Sequence, residues 1–101
     1  MVRSIALAHG KLAYAQAGEG PVVVLLHQTP RSWDEYRDVL PLLADAGLRA
    51  IAFDTPGFGA SAPLPGEPAI ERWARTILDG LDALEIARAS VVGHHTGGCI
   101  A

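Results

Sequence analysis

The sequence predicts an α/β fold, with a mostly parallel sheet that is covered by crossover helices. Three short apolar runs, at 22–26, 48–53 and 89–92, are typical of strands buried on both faces of a parallel sheet. Two longer segments between these runs carry apolar residues at three- and four-residue spacing, which indicates amphipathic helices. Strands that alternate with helices in this way predict right-handed crossovers and a largely parallel arrangement.

Two further strands are predicted before the first buried run. Residues 4–8 and 12–17 are short segments, largely apolar, that are separated by a turn at His9-Gly10. The stretch 18–21 ends the second strand, since glycine and proline mark turns. The predicted order is therefore β-β-β-α-β-α-β, followed by the start of one more helix.

The first helical segment carries signals for its start, its interruption and its end. Ser32 and Glu35 have the spacing of a capping box, in which each side chain bonds a backbone amide at the start of the helix. Pro41 cannot donate a backbone hydrogen bond, so we expect a kink or a division into two short helices. Gly47 lies where a glycine with positive φ would end the helix.

The second helical segment is predicted to begin near Pro68, because proline suits the first helical position. Its apolar stripe comprises Ile70, Trp73, Ile77, Leu78, Leu81 and Leu84. In the helix that follows the last strand, Cys99 is expected on the buried face as an inert thiol. The last strand itself is expected to form an edge of the sheet with an exposed apolar surface.

The composition excludes several classes of partner. The 101 residues carry a net charge of −3 and have a pI near 5.7, which leaves no basic surface for nucleic acid or anionic lipid. No apolar run approaches the roughly 20 residues that cross a bilayer, and no signal peptide is visible at the start. The single cysteine fits a reducing compartment, so we expect a cytoplasmic protein that binds neither nucleic acid nor membrane.

The residues with chemical potential are concentrated where the last strand passes into the next helix. Gly93 and Gly97 flank His95 two residues to either side, a spacing that relieves side-chain collisions in a sharp strand-to-helix turn. The run 93–98, Gly-His-His-Thr-Gly-Gly, resembles the Gly-His-Ser-x-Gly-Gly nucleophile elbow of the α/β-hydrolase superfamily, with histidine in the nucleophile position.

Two other segments carry the same resemblance, in the expected order. Residues 25–30 (Leu-Leu-His-Gln-Thr-Pro) are similar to the His-Gly-x-Pro oxyanion loop. Residues 54–61 (Asp-Thr-Pro-Gly-Phe-Gly-Ala-Ser) are similar to the Asp-x-Pro-Gly-x-Gly-x-Ser loop. Both patterns are familiar among epoxide hydrolases, haloalkane dehalogenases and related esterases. The similarity covers the chain from Leu12 onward and implies the N-terminal half of an α/β-hydrolase fold.

The resemblance also implies roles for individual residues. The backbone N–H groups of Thr29 and Thr96 would form an oxyanion hole, in which each donor is worth about 3–4 kcal/mol. His27 would orient its loop by hydrogen bonding, and Asp54 would shape the loop beside the pocket. The other residues expected to shape the site are Gln28, Gly93, His94 and Gly97, with His94 packed beside the turn.

Two departures from the family pattern bear on activity. Gln28 replaces the usual glycine, so the oxyanion loop follows a different path or places a side-chain amide in the site. His95 replaces the usual serine, aspartate or cysteine. Three interpretations of His95 stay open: a nucleophile, a general base or proton shuttle, and a residue of a site that has lost or reorganised ordinary hydrolase activity.

The function implied by the resemblance is hydrolysis of a small ester- or epoxide-type substrate. The alternatives are a non-catalytic relative that keeps the pocket for binding, and a cofactor-free lyase or oxygenase that uses a histidine base. No cofactor is expected, because Pro63 and Pro65 prevent the helix that a dinucleotide-binding loop at 57–62 requires. No metal is expected either, because the side chains of His94 and His95 would diverge on a tight turn.

The family's catalytic triad runs nucleophile, acid, histidine along the chain. We expect its acid and its histidine after residue 101 and therefore interpret residues 1–101 as one partial domain, truncated after the elbow and inactive alone. The elbow hypothesis further predicts a positive φ at His95. The residues indicate no oligomeric state.

Overall fold

The computed structural model describes residues 2–7, 10–28, 31–62, 69–94 and 96–101. In chain order its elements are β1 (Val2–Leu7), β2 (Gly10–Ala17), β3 (Val22–Leu26), a 3₁₀ helix (Trp33–Tyr36), α1 (Val39–Asp45), β4 (Arg49–Phe53), α2 (Ile70–Ala83), β5 (Ser90–Gly93) and α3 (Thr96–Ile100). The predicted order of strands and helices is confirmed.

The five strands form one sheet in the order β1-β2-β4-β3-β5. β3 pairs in parallel with β4 and with β5, whereas β2 pairs antiparallel with β1 and with β4. β2 therefore runs against the other four strands. Its direction relative to β1 follows from the connection between them, which has only two residues and so requires an antiparallel pair. The α/β fold is as predicted, and its sheet is mixed.

Side chains that alternate along the strands form a core on each face of the sheet. The core that packs against α2 and α3 consists of Leu12, Tyr14, Val24, Leu26, Ile51, Phe53, Ile77 and Ile100. The core that packs against the 3₁₀ helix and α1 consists of Ala15, Leu25, Tyr36, Leu40, Ala50 and Ala52. Because both faces of β3 and β4 are covered, their apolar runs are continuous rather than alternating.

The first helical segment is divided into the 3₁₀ helix and α1, as expected from Pro41, which lies in the first turn of α1. Gly47 follows α1 with a φ of +83°, and the N–H of Leu48 donates to the carbonyl of Leu43 at 3.1 Å. This is the predicted glycine termination. The predicted start of α2 at Pro68 lies outside the described residues, and the helix itself begins at Ile70.

Two local predictions are wrong. The capping box is absent: the hydroxyl of Ser32 donates to Asp34 Oδ1 at 2.8 Å, and Glu35 accepts instead from the backbone N–H of Gln28 at 2.9 Å. The thiol of Cys99 is exposed, because Gly97 and Ile100 occupy the inward face of α3. Both predictions fail because the partners of Ser32 and Glu35 and the burial of Cys99 depend on tertiary packing, which cannot be derived from the local sequence.

β5 forms one edge of the sheet. Val91 and Val92 are 46% and 47% exposed, so this strand presents apolar side chains to solvent on both faces, as predicted for an edge. Among the described helices, none combines the length and the apolar character that a bilayer span requires.

Candidate active site

The three motif segments meet at one end of the sheet, where the parallel strands terminate. Because β3, β4 and β5 are parallel, their carboxyl ends lie side by side, with Leu26 in register with Phe53 on one side and Gly93 on the other. The three motif segments begin at these ends. In open α/β sheets, ligands bind beyond the carboxyl ends of the strands.

His27 follows β3 and is buried, with 1% of its surface exposed. Its Nε2 accepts the backbone N–H of Thr55 at 2.9 Å, which ties the end of β3 to the loop after β4. Since an N–H group can only donate, the ring proton lies on Nδ1, which is 2.8 Å from the Gln28 carbonyl oxygen. The ring also contacts Phe58 edge to face, with the ring centres 5.9 Å apart. His27 therefore holds loops together through both nitrogens.

Gln28 is fixed by its backbone. Its N–H donates to Glu35 Oε1 at 2.9 Å, and its carbonyl accepts the N–H of Arg31 at 2.8 Å as well as the contact from His27. Three contacts thus determine the direction in which the chain leaves β3.

Asp54 is the centre of the loop after β4 and is also 1% exposed. Its Oδ1 accepts the N–H of Trp33 at 2.7 Å and its Oδ2 accepts the N–H of Ala60 at 2.9 Å. A Cβ on Gly59, where φ is +53°, would lie 2.2 Å from Oδ2, so only glycine permits this close approach. Both carboxylate oxygens thus accept backbone N–H groups, and the side chain shapes the loop.

Ser61 completes the attachment of this loop to the sheet. Its hydroxyl donates to the carbonyl of Asp54 at 2.6 Å and accepts the N–H of Ala13 on β2 at 2.7 Å. Ser61 is itself buried, so these bonds are shielded from water. The last residue of the motif thus links the loop to β2.

The turn from β5 to α3 depends on close backbone packing. A Cβ on Gly93 would lie 2.4 Å from the carbonyl oxygen of Gly97, and a Cβ on Gly97 would lie 2.1 Å from the carbonyl oxygen of Leu26. The N–H of His94 donates to that Leu26 oxygen at 3.1 Å, and the N–H of Gly97 donates to the His94 carbonyl at 3.0 Å. Neither glycine can be replaced without displacing backbone atoms.

Comparison with known sequences identifies the family of this chain. The family described as alpha/beta hydrolase fold matches residues 21–101. The chain belongs to this family. Bifunctional epoxide hydrolase 2 of Sus scrofa is 34% identical in an alignment of 105 positions, which covers 94% of this chain and 19% of that protein. Epoxide hydrolase B of Mycobacterium tuberculosis (strain ATCC 25618 / H37Rv) is 39% identical over 85 residues, which cover 82% of this chain and 24% of that protein.

A solved structure gives the same result for the fold. The crystal structure of an epoxide hydrolase from Vigna radiata superimposes with a TM-score of 0.92 at 28% identity, covering 99% of this chain and 33% of that one. This chain spans between about a fifth and a third of the length of these three α/β-hydrolase-fold relatives. The predicted resemblance to the family is confirmed.

The predicted catalytic position and half of the predicted oxyanion hole fall outside the described residues. His95 and Thr29 are the two residues concerned, so the predicted φ of His95 stays a prediction. Thr96 is described by its backbone, which begins α3. His94 lies at the turn with its side chain 49% exposed and contacts the carboxylate of Glu35.

Glu35 also belongs to this site, which the sequence did not indicate. Its spacing from Ser32 indicated a helix cap, and nothing local to it signals contacts with Gln28 and with His94, the latter 59 residues away. Among the described residues, no group of three or more histidine, cysteine, aspartate or glutamate side chains is arranged to hold a metal ion.

Proposed function

We propose that this chain forms the oxyanion-loop and nucleophile-elbow part of an α/β-fold hydrolase that acts on a small ester- or epoxide-type substrate. The observation that carries the proposal is the backbone contact of Gly97 with Leu26, which brings the turn after β5 against the end of β3. Family membership and the names of the relatives, epoxide hydrolases, support the choice of substrate class.

The turn after β5 is proposed as the nucleophile elbow, with His95 in the nucleophile position. The interlocked backbones of Gly93 and Gly97 support this, since an elbow requires small residues on both sides of its central residue. As a nucleophile, an imidazole nitrogen of His95 would attack the carbonyl carbon of an ester and the alcohol would leave, after which water would hydrolyse the acylimidazole to the free acid and regenerate the histidine. This route applies to the ester, since water would not cleave the alkylimidazole that an epoxide would give. As a general base, the same nitrogen would take a proton from an attacking water.

The backbone N–H groups of Thr29 and Thr96 are proposed as the oxyanion hole. The fixed backbone of Gln28, which directly precedes Thr29, supports the first of these assignments. The close packing of Gly97, which directly follows Thr96, supports the second. Two such donors, held in place before the reaction, would stabilise the negative charge that develops on a carbonyl oxygen.

The remaining site residues are proposed to hold these groups in place. His27 and Asp54 bind backbone amides of neighbouring loops and are both fully buried, so neither side chain is proposed to touch substrate. A cytoplasmic location is part of the proposal, because Cys99 is an exposed free thiol and such thiols persist in reducing compartments.

A second candidate is a binding relative that has kept the pocket and lost catalysis. The observation in its favour is His95 itself, since the family's usual nucleophiles are serine, aspartate and cysteine. A third candidate, a cofactor-free lyase or oxygenase with His95 as base, needs the same residue in a different reaction.

The test uses the complete product of the gene that encodes this chain. Wild type, His95→Ala and His95→Ser are assayed with p-nitrophenyl butyrate and with styrene oxide, after circular dichroism has established that all three are folded. We expect hydrolysis by wild type and a loss of about 100-fold or more in His95→Ala. An unchanged rate in His95→Ala would remove His95 from the chemistry. Saturable binding of either probe without turnover would favour the binding relative.

A further inference from the structure

The 3₁₀ helix, which carries Glu35, is held in place at both of its ends. At its start, the N–H of Trp33 donates to Asp54 Oδ1 at 2.7 Å. At its end, the hydroxyl of Tyr36 donates to the carbonyl of Leu26 at 2.8 Å. Glu35 lies between these two anchors, so its position relative to the carboxyl ends of β3 and β4 is fixed.

The carboxylate of Glu35 divides its two oxygens between two segments of the candidate site. Oε1 accepts the backbone N–H of Gln28 at 2.9 Å, and Oε2 contacts Nδ1 of His94. The Glu35 side chain is only 13% exposed, whereas that of His94 is 49% exposed. One shielded carboxylate therefore joins the loop after β3 to the turn after β5.

This contact determines which nitrogen of His94 carries a proton. An ionised carboxylate accepts hydrogen bonds and cannot donate them, so Nδ1 must be the donor. The requirement holds for the neutral ring as well as for the charged ring. A carboxylate on one ring nitrogen is a common means of fixing both the tautomer and the orientation of a histidine.

We propose that Glu35 is a positioning residue of this site. Through Gln28 it holds the loop that precedes Thr29, and through His94 it holds the turn that precedes His95. Its carboxylate thereby links the two segments that lead into the proposed oxyanion donor and into the proposed nucleophile position. The catalytic consequence rests on the proposed function, but the positioning itself does not.

The size of the effect follows from the precision that catalysis requires. Reactive groups have to be held to within about 0.5 Å, and a displacement of about 1 Å can reduce the rate about 100-fold. Loss of the Glu35 link would act on both proposed groups at once. We therefore expect a reduced kcat, with a KM changed by less than about twofold, since the pocket itself is retained.

Two variants of Glu35 separate its two contacts. Glu35→Gln keeps an oxygen for the N–H of Gln28 but turns an N–H donor toward His94, whereas Glu35→Leu removes both contacts at similar size. Asp34→Asn is the matched control: this neighbouring carboxylate bonds to Ser32 and Arg31 and belongs to no proposed catalytic group. The variants are made in the complete gene product.

The decisive readouts are spectroscopic. In wild type and Asp34→Asn, nitrogen-15 NMR should find His94 protonated at Nδ1, and the Gln28 amide should be protected from hydrogen exchange. Glu35→Gln should move the proton of the neutral ring to Nε2 while the Gln28 amide keeps its protection. Glu35→Leu should change both, with protection of the Gln28 amide reduced about tenfold or more.

The kinetic readout tests the consequence. We expect kcat to fall about tenfold or more in both Glu35 variants and to stay within about twofold of wild type in Asp34→Asn. An unchanged His94 tautomer together with unchanged Gln28 exchange in Glu35→Leu would overturn the inference. The NMR measurements decide it even if His95→Ala refutes the proposed function, so the two failures are distinguishable.

Discussion

The loop after β4 and the turn after β5 leave the same edge of the sheet but are held in different ways. In the loop, the carboxylate of Asp54 collects two backbone N–H groups and the hydroxyl of Ser61 bridges to β2. In the turn, the backbone of Gly97 lies directly against the carbonyl of Leu26. Polar side chains therefore hold the loop in place, whereas the turn can form only because Gly97 has no side chain.

The two regions also differ in exposure. Asp54 and Thr55, which begin the loop, are buried, whereas β5 is an edge strand with exposed valines and an exposed His94. Hydrogen bonds among buried groups are costly to break, because the groups left behind have lost their contact with water. The backbone contact in the turn joins Gly97 and Leu26, which are both buried, so the turn is fixed at its inner side although β5 itself is exposed.

The largest effect is expected from adding one methyl group to the turn. In Gly97→Ala the new Cβ would lie 2.1 Å from the Leu26 oxygen and 2.8 Å from that of His27, and neither backbone can move without disturbing β3. We expect the free energy of unfolding to fall by about 3 kcal/mol, the upper part of the range for overpacked sites. Urea denaturation followed by circular dichroism measures it.

Gly98→Ala is the matched control for this prediction. A Cβ at that position meets nothing closer than the Gly93 carbonyl oxygen at 3.7 Å, which is an ordinary contact. Alanine also favours helix over glycine by about 1 kcal/mol, so stability should be unchanged or higher. If the two alanine variants are equally stable, close backbone packing does not specify the turn.

The second effect, in the loop, is expected from removing atoms. Asp54→Ala leaves the N–H groups of Trp33 and Ala60 without their acceptor, and the two hydrogen bonds are partly buried. We expect a loss of about 2 kcal/mol, since an unsatisfied donor costs about 1–3 kcal/mol and solvent compensates part of it. Asp79→Ala, on the exposed side of α2, should change stability by less than about 0.5 kcal/mol. Equal losses in the two variants would show that the Asp54 network contributes nothing specific.

Most of the fold could be predicted because its signals are local. The strand at 22–26 is continuously apolar and buried on both faces, and its predicted bounds are those of β3. Gly47 ends α1 with positive φ because few other residues adopt that conformation. The reversal of β2 relative to β4 was not predicted, because sheet order depends on pairings between segments far apart in the sequence.

The contacts of the candidate site were predictable only in part. The glycines at 93 and 97 follow from a steric rule that concerns neighbouring residues, so their close packing could be anticipated. Glu35 could not be assigned in this way, because its partners lie 7 and 59 residues away and its spacing from Ser32 fits a local cap equally well. A carboxylate takes the donor that tertiary structure brings closest, which no single segment reveals.

The smallest effect concerns Tyr36, at the end of the 3₁₀ helix. Its hydroxyl donates to the Leu26 carbonyl, the same oxygen that accepts the N–H of His94 and limits Gly97. Tyr36→Phe removes one donor and leaves that carbonyl with the other, so we expect a loss of only about 1 kcal/mol at pH 8. Urea denaturation of wild type and variant side by side gives the difference.

The pH dependence of that loss distinguishes a buried phenol from an exposed one. Burial, and secondarily the negative charge of Glu35, raises the pKa of the Tyr36 phenol above its ordinary value of 10.0. At pH 8, well below 10.0, the phenol is neutral in the folded and the unfolded chain, and its contribution is complete. As the pH rises further, the unfolded chain ionises first, so wild type loses stability until the pH exceeds the folded pKa. Tyr36→Phe should lose less stability between pH 9 and pH 11. Parallel curves for the two proteins would mean that the phenol titrates alike in both states and that the link between the 3₁₀ helix and β3 is open to solvent.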